Sequence, residues 1–248
     1  MTPRSTLAGS AARARIGSGL RAACATGVLV LVAGCATGPN ANPADPLEPL
    51  NRQVYRFNNA LDDAILKPAA TVYVKVLPSP VRTGVNNFFG NLSDVWSFVN
   101  SVAQLKLQNS AQTFMRVNVN TVFGLGGILD VATEIGIDRH SEDFGQTLGR
   151  WGVPPGPYIV LPFLGPSTLR DTAALPVDVM GDPVDSVSDI AVRNSMYALR
   201  LVDIRANLLR VGQLLEDAAL DRYTFTRDAF LQRRRSEVHD GNLPDDGN

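Results

Sequence analysis

The chain has 248 residues, of which 45% are hydrophobic and 19% are charged, and this composition suits a globular core rather than a disordered chain. Four of the 23 basic residues and none of the 24 acidic ones lie in the first 34 residues, so the remainder carries 19 basic against 24 acidic side chains, a net charge of −5. That balance argues against nucleic acid as the main partner, since phosphate binding needs clustered Lys and Arg. Two cysteines and two histidines argue against a metal cluster, and no cofactor is expected.

The first 34 residues are predicted to be a lipoprotein signal peptide. A basic stretch at 1–21 precedes an apolar run at 22–33. This run has the length of a signal-peptide core and is too short to cross a bilayer, which takes about 20 apolar residues. It ends in Val-Ala-Gly-Cys at 32–35, which resembles a bacterial lipobox. We therefore expect Cys35 to be lipidated and to begin the mature chain; the alternative is a plain secretory signal that contains a cysteine by chance.

A lipidated Cys35 would attach the protein to a membrane. Each buried acyl CH₂ contributes about 0.8 kcal/mol, and two lipid signals already give stable attachment. The polar composition of residues 35–45 predicts a flexible tether. Ala36 rather than an aspartate follows the cysteine, which resembles the sorting signal of lipoproteins that reside in the outer membrane.

Residues 46–238 are predicted to form one helical domain. Asp45, Pro46 and Glu48 have the pattern of an N-cap, an N1 proline and a capping-box glutamate. Apolar residues then recur three and four positions apart, the period of amphipathic helices. These stripes comprise Leu47, Leu50, Val54, Phe57 and Leu61; Val81, Val85, Phe88 and Leu92; Val95, Val99 and Val102; Ala111, Phe114, Met115 and Val122; and Leu201, Ile204, Leu208, Val211 and Leu215.

A last helix is predicted from Tyr223 to about Val238. Its run of three arginines at 233–235 suits a helix C-terminus, where cations are favourable. The residues that follow, 239–248, form a polar tail.

The middle of the chain is predicted to be irregular. Residues 124–127 are Gly-Leu-Gly-Gly, and residues 145–166 contain five glycines and five prolines. Long helices cannot run through such a composition. The run Tyr-Ile-Val-Leu at 158–161 favours a short strand or hairpin, because it is rich in β-forming residues and bounded by proline.

Catalytic motifs are poorly represented, which predicts that the chain is not an enzyme. The sequence contains no Gly-x-Ser-x-Gly, no complete dinucleotide loop, no phosphate-binding loop and no His-Glu-x-x-His. His140 could be combined with Ser141 or Ser167 as a hydrolase site. Neighbours in sequence rarely have triad geometry, so a solvated polar loop is the preferred interpretation.

Five asparagines lie on or beside the apolar stripes: Asn51, Asn58, Asn86, Asn100 and Asn118. They could bond the backbone or cap helices, which is the commoner role of asparagine. They could instead form a polar inner lining in a helical assembly. Both interpretations remain open, since a buried asparagine must find partners in either case.

Several segments together resemble the MlaA (VacJ) family of outer-membrane lipoproteins. The similarity covers about residues 45–236, and the lipobox is an independent feature that agrees with it. The segments that carry it are DPLEPLNRQVYRFNNALD (45–62), FFGNLSDV (88–95), RVNVNTVFGLGGILDVATEIG (116–136), EDFGQTLGRWGVPPGPYIVLPFLGPSTLRD (142–171), RANLL (205–209) and RYTFTRDAFLQRR (222–234).

The resemblance implies an all-α fold, a ring-like bundle of amphipathic helices around a central channel, embedded in the inner leaflet of the outer membrane and anchored on its periplasmic side. The implied function is removal of mislocalised phospholipid from the outer leaflet and its transfer to a periplasmic lipid carrier, which maintains lipid asymmetry. The implied partners are phospholipids, a trimeric porin and the carrier. The alternative is a structural, porin-associated lipoprotein without a lipid path.

The resemblance also suggests channel-lining or gating residues. Phe57 and Asn58 match a Phe-Asn pair near the family's pore, and Asn118 is set into the apolar stripe that runs from Ala111 to Val122. Gly124, Leu125, Gly126 and Gly127 would form a hinged gate with an apolar tip, since a lipid path must open and close. On that interpretation Gly126→Pro would impair lipid passage at near-normal stability. The alternatives are a core phenylalanine, a local backbone bond for Asn58, and an ordinary helix C-cap for the glycines.

Overall fold

The computed structural model describes residues 42–212 and 220–242. Helices dominate both stretches, and the predicted all-α class with an irregular middle segment is confirmed. In chain order the elements are α1 (Glu48–Leu61), a π-helical turn (Asp62–Leu66), α2 (Lys67–Val76), α3 (Ser79–Ala103), α4 (Leu107–Val122), α5 (Val131–Glu134), α6 (Phe144–Arg150), β1 (Tyr158–Leu161), β2 (Gly165–Thr168), α7 (Leu169–Gly181), a 3₁₀ turn (Pro183–Ser186), α8 (Ile190–Asn207) and α9 (Arg222–Val238).

The N-cap predicted at Asp45 is wrong. The first helix, α1, begins at Glu48, and no side chain caps it. The Asp45 carboxylate is buried instead, where it accepts hydrogen bonds from Asn51 Nδ2 at 2.8 Å and from the Tyr223 hydroxyl. Arg227 Nη1 lies 3.4 Å from the same carboxylate. Because Tyr223 and Arg227 belong to α9, Asp45 joins the start of the helical domain to its last helix.

Helical backbone continues from α1 into α2 through the π-helical turn. Pro68 has no N–H to donate, so an ordinary helical bond is missing at this point. The Lys67 N–H donates to the Asp62 carbonyl five residues earlier, which is the wider π-helical bond. The turn directs Asp62 at α8, where its carboxylate accepts two hydrogen bonds from Arg205, at 2.6 and 2.7 Å.

The strand predicted at 158–161 is confirmed as β1. It pairs antiparallel with β2, with Tyr158 opposite Thr168 and Leu161 opposite Gly165. The buried side chain of Asn51 donates to the Tyr158 carbonyl at 3.0 Å and accepts from the Val160 N–H at 2.9 Å. The asparagine therefore substitutes for a neighbouring strand and fixes the hairpin against α1.

Burial in α3 and α4 is inverted relative to a soluble protein. The buried residues of α4 are all polar: Ser110, Thr113, Arg116 and Asn120. Five of the seven buried residues of α3 are polar too: Asn91, Asp94, Ser97, Asn100 and Ser101. The apolar stripes predicted at 95–102 and 111–122 face largely outwards instead, and Val99 and Val122 are 45% and 68% exposed. So much exposed apolar surface indicates a membrane or protein interface.

Polar groups also hold the α3–α4 pair together. The fully buried Arg116 donates to both oxygens of Asp130 at 2.8 and 2.9 Å, and its Nε lies 3.6 Å from Asp94 Oδ2. Polar contacts between helices suit a medium in which apolar side chains gain little by turning inwards. In the described stretches, no helix combines the length and the hydropathy needed to cross a membrane.

Candidate functional site

A cavity of about 370 Å³ with both charged and apolar side chains in its lining, here termed the inner cavity, lies between α3, α7 and α8. It is an open space, and the charged side chains in its lining come from all sides except α3. Its lining comprises Ser93, Trp96 and Ser97 of α3, Ser141 and Glu142 from the loop before α6, Asp178 and Val179 of α7, Asp182 and Pro183 after it, and Arg200 and Ile204 of α8.

Arg200 is the basic residue in this lining. Its Nη1 donates to Asp182 Oδ2 at 2.6 Å, and its Nη2 donates to Ser93 Oγ at 2.7 Å. The guanidinium carbon also lies 5.9 Å from the centre of the Phe89 ring. These contacts fix the direction of the side chain, while 24% of it stays exposed to the cavity and solvent. A guanidinium held in this way can bind a phosphate group.

Trp96 and Asp178 form a rigid part of the cavity wall. Asp178 Oδ1 accepts hydrogen bonds from the Trp96 indole N–H and from the Phe144 backbone N–H, both at 2.8 Å. Burial raises the pKa of the Asp178 carboxyl, and these two hydrogen bonds offset the rise only in part. A side chain at Gly181 would lie 2.3 Å from the indole, so only glycine allows this approach. The wall is therefore closely packed on the α7 side.

An apolar groove of about 530 Å³ lies next to the inner cavity, between α3 and α8. Phe89 lines the groove and contacts Arg200 of the inner cavity, and Leu199 precedes Arg200 in the chain. The inner cavity and the apolar groove share no lining residue, and the buried Phe89 ring and the Arg200 side chain lie between them. The lining residues of the groove are Pro80, Val81, Gly84, Val85, Phe88 and Phe89 of α3, Ile128 from the loop after α4, and Met196 and Leu199 of α8.

The predicted pair Phe57 and Asn58 lies at the turn of the β-hairpin. The Phe57 ring is 49% exposed and packs edge to face against Phe163, with ring centres 5.5 Å apart. The Asn58 side chain donates to the Leu161 carbonyl and accepts from the Phe163 N–H, both at 2.9 Å. Asn58 thus bonds the backbone, but that of a distant segment rather than its own helix. A role of the pair in a channel stays a prediction.

The other asparagines bond the backbone of their own helix or side chains of neighbouring elements, and none of them lines the inner cavity. Asn118 is exposed and donates to the Phe114 carbonyl one turn earlier, at 2.7 Å. Asn100 is buried; it donates to the Trp96 carbonyl at 3.1 Å and accepts from the Thr147 hydroxyl at 2.7 Å. Asn86 bonds Asp203 across to α8, at 3.1 Å.

The glycine segment 124–127 ends α4 in the manner of a C-cap. The N–H groups of Gly126 and Gly127 donate to the carbonyls of Thr121 and Asn120, at 3.0 and 2.9 Å. Leu125, Gly126 and Gly127 have positive φ angles of 55°, 73° and 93°. The Leu125 side chain is 70% exposed, as expected for an apolar tip. The segment leads directly into Ile128, so it sets one edge of the apolar groove.

We expect Gly126→Pro to lower the free energy of unfolding by about 2 kcal/mol or more, because proline cannot adopt positive φ and removes the donor to Thr121. This geometry replaces the expectation of near-normal stability. Leu125→Asn is the matched control, since asparagine tolerates positive φ and the change removes only the apolar tip. Thermal denaturation measures both, and an unchanged melting temperature for Gly126→Pro would contradict the C-cap assignment.

The segment around His140 is not arranged as a hydrolase site in the described residues. His140 Nε2 lies 2.6 Å from Gln112 Oε1, and the Ser167 hydroxyl lies 3.0 Å from that of Thr172. Across residues 42–212 and 220–242, no group of three or more His, Cys, Asp or Glu side chains is placed to hold a metal ion.

The predicted site residues and the inner cavity occupy different places. Among the described residues, Phe57, Asn58, Asn118 and segment 124–127 are absent from the inner cavity's lining. Cys35 lies outside the described residues, as do the predicted signal peptide and most of the tether and tail.

Sequence reasoning missed three of the four charged residues that line the inner cavity, Asp178, Asp182 and Arg200, as well as the role of the fourth, Glu142. Asp178 and Arg200 interrupt predominantly apolar stretches of α7 and α8. Ionisable residues in such stretches often mark functional positions in membrane proteins. That signal was available in the sequence.

Comparisons with known proteins agree with this architecture. The family described as MlaA lipoprotein matches residues 43–237. The chain is 36% identical over 227 residues to the intermembrane phospholipid transport system lipoprotein MlaA of Shigella flexneri, with 89% of each chain covered. It is 33% identical over 231 residues to the protein of the same name from Haemophilus influenzae, with 86% of this chain and 88% of that one covered.

A solved structure has the same fold. It comes from work described as "Structural basis for maintenance of bacterial outer membrane lipid asymmetry". The TM-score is 0.69 at 33% sequence identity, and the match covers 78% of this chain and 98% of that chain. Since the family match spans most of the sequence, the chain belongs to the MlaA lipoprotein family.

Proposed function

We propose that this protein is an outer-membrane lipoprotein that removes mislocalised phospholipid from the outer leaflet and passes it to a periplasmic lipid carrier. The names of its relatives support a role in intermembrane phospholipid transport. The observation that carries the proposal is the position of the inner cavity, which Arg200 lines, beside the apolar groove, which Phe89 lines. A phospholipid has a charged headgroup and apolar tails. The inner cavity suits the headgroup, and the apolar groove suits the tails.

In the proposed path, the headgroup occupies the inner cavity and the acyl chains follow the apolar groove or the lipid phase beside it. Arg200 would bind the phosphate through the part of its guanidinium that Asp182 and Ser93 leave available. The exposed apolar stripes would place the helices in the inner leaflet, where lipid tails solvate them. Passage requires no covalent chemistry.

Anchoring and gating are further parts of the proposal. A lipidated Cys35 would attach the chain to the periplasmic side of the outer membrane, and the exposed apolar faces offer contact surfaces for a trimeric porin. Phe57 and Asn58 would act on the path by positioning the hairpin turn. The turn at 124–127 would act through Ile128 at the edge of the groove, and Asn118 would contribute from α4.

A structural lipoprotein without a lipid path has less support, because the inner cavity is open rather than packed.

Site-specific photo-crosslinking in cells tests the proposal. A benzophenone amino acid at Ser93, inside the inner cavity, should capture phospholipid that mass spectrometry then identifies. The same probe at Asp228, on the solvent-exposed side of α9, is the control. We expect phospholipid on the Ser93 probe and none above background on the Asp228 probe. Equal labelling at both positions, or none at Ser93, would rule out the inner cavity as the path.

A further inference from the structure

A second cavity, here termed the outer cleft, lies between residues 139–142 and α9 and has a volume of about 550 Å³. Gln232, Arg233 and Glu237 line it from α9, and Asp240 lines it just beyond the helix. The cleft is wide and polar. Neither the family match nor the relatives' names assign it a role.

The outer cleft and the inner cavity share part of their walls. Ser141 and Glu142 line both spaces, so these two residues are the partition between them. Ser141 is exposed, whereas Glu142 is buried. A molecule in the inner cavity is therefore one short segment away from the outer cleft.

Side-chain contacts, rather than close packing, hold this partition. The Glu142 carboxylate accepts hydrogen bonds from Gln104 at 2.9 Å and from Lys106 at 2.8 Å. Its backbone N–H donates to the Ser97 hydroxyl at 3.2 Å. Lys106 Nζ also binds Asp240 at 2.6 Å, so the same ammonium group ties the partition to the far side of the cleft.

The charges in the outer cleft suit a zwitterionic group. Arg233 can bind a phosphate. Glu237 can bind an ammonium group through Oε1, because only its Oε2 contacts Arg234, at 3.3 Å. The pair Arg233 Nε–Glu237 Oε1 is 3.3 Å apart, and 69% of the Arg233 side chain is exposed. Exposed pairs of this kind contribute little to stability, so a ligand that satisfies both charges can replace the pair at small cost.

We infer that the outer cleft is the exit site of the lipid path. A zwitterionic phospholipid headgroup would leave the inner cavity past Ser141 and Glu142 and bind between Arg233 and Glu237 before transfer. This inference rests on the proposed function, because it assumes that lipid reaches the inner cavity.

The test places the benzophenone probe at Gln232, in the outer cleft, of the full-length lipoprotein reconstituted in vesicles. The vesicles contain either phosphatidylethanolamine, which is zwitterionic, or phosphatidylglycerol, which is anionic. We expect the Gln232 probe to capture phosphatidylethanolamine in preference to phosphatidylglycerol. Ser141→Trp should block the partition and reduce capture at Gln232 to the level of the Asp228 control.

A second variant covers the case in which Ser141→Trp does not fold. Arg233→Ala should reduce phosphatidylethanolamine capture at Gln232 by about fivefold, the effect of losing an exposed charge contact of about 1 kcal/mol, with Ser93 unaffected. In the protein that carries neither Ser141→Trp nor Arg233→Ala, capture at Ser93 without capture at Gln232 would overturn the exit site alone. Equal capture of both lipids at Gln232, or capture insensitive to both variants, would also overturn it. Absence of capture at both positions would instead overturn the proposed function.

Discussion

Replacing Arg200 by glutamate should reduce phospholipid clearance by about ten- to a hundredfold. The variant loses a hydrogen bond to a charged phosphate, which contributes about 1.5–3 kcal/mol, and each 1.4 kcal/mol is a factor of ten in affinity. The substituted carboxylate would face Asp182 and Asp178 in the inner cavity and repel the phosphate. Outer-leaflet phospholipid should then accumulate, which surface labelling of intact cells measures.

Two further variants separate charge from folding in this experiment. Arg200→Lys keeps the cation and should retain most of the clearance, although it loses the fork that binds Asp182 and Ser93 together. Arg193→Glu makes the same charge reversal on α8 away from the inner cavity and should leave clearance unchanged. If Arg200→Glu clears lipid normally while its melting temperature is also normal, the phosphate contact does not exist.

Arg234→Ala should lower the free energy of unfolding by about 3–5 kcal/mol, the cost of breaking a buried ion pair from one side. The Arg234 guanidinium donates two bonds to Asp143, both at 2.6 Å, and binds Asp171 at 2.9 and 3.1 Å. Asp143 is the N-cap of α6, and Asp171 lies in the first turn of α7. The alanine variant would leave Asp143 without its arginine, and Asp171 would keep only its contact with Arg170, at 2.9 Å.

Arg233→Ala is the matched control for stability, because the neighbouring side chain is 69% exposed and should change the unfolding free energy by less than about 0.5 kcal/mol. Chemical denaturation in a suitable amphiphile measures both variants. Equal, small effects would show that the buried network does not stabilise the fold.

The same network makes a contribution to stability that depends on pH. Burial opposes ionisation of Asp143, but the bonds from Arg234 and Gln146 outweigh it and lower the pKa of this carboxyl below its ordinary value. The contribution is therefore fully present above about pH 4, the unfolded-state pKa, and is lost as the pH falls through the lower folded-state pKa. In Arg234→Ala this acid dependence should be much weaker.

Composition and hydrophobic periodicity predicted the helices and the strand whose formation depends on residues close together in the sequence. The strand at 158–161 and the last helix could be predicted because their composition and period favour them in any context. The apolar stripes of α3 and α4 were recognisable for the same reason. Only the family resemblance predicted that these stripes face outwards, because the period of an apolar stripe is the same whether it faces a protein core or a membrane.

Long-range contacts account for what the sequence did not predict. Asp45 has the local pattern of an N-cap, yet its carboxylate accepts hydrogen bonds from Tyr223 and Arg227 of α9 instead. The arginines at 233–235 suit a helix C-terminus, yet Arg234 binds carboxylates far away in the chain. The inner cavity depends on how α7 and α8 lie against α3, and no local pattern specifies such an arrangement.

The inverted burial has a thermodynamic consequence. Exposure of apolar surface on unfolding raises the heat capacity, whereas exposure of polar surface lowers it. This chain buries asparagines, serines and ion pairs between α3 and α4 and leaves valines and phenylalanines outside. Its unfolding heat capacity must therefore lie below the usual value of about 12–15 cal/mol/K per residue. A small heat capacity flattens the dependence of stability on temperature, so the fold changes little in stability between cold and warm surroundings.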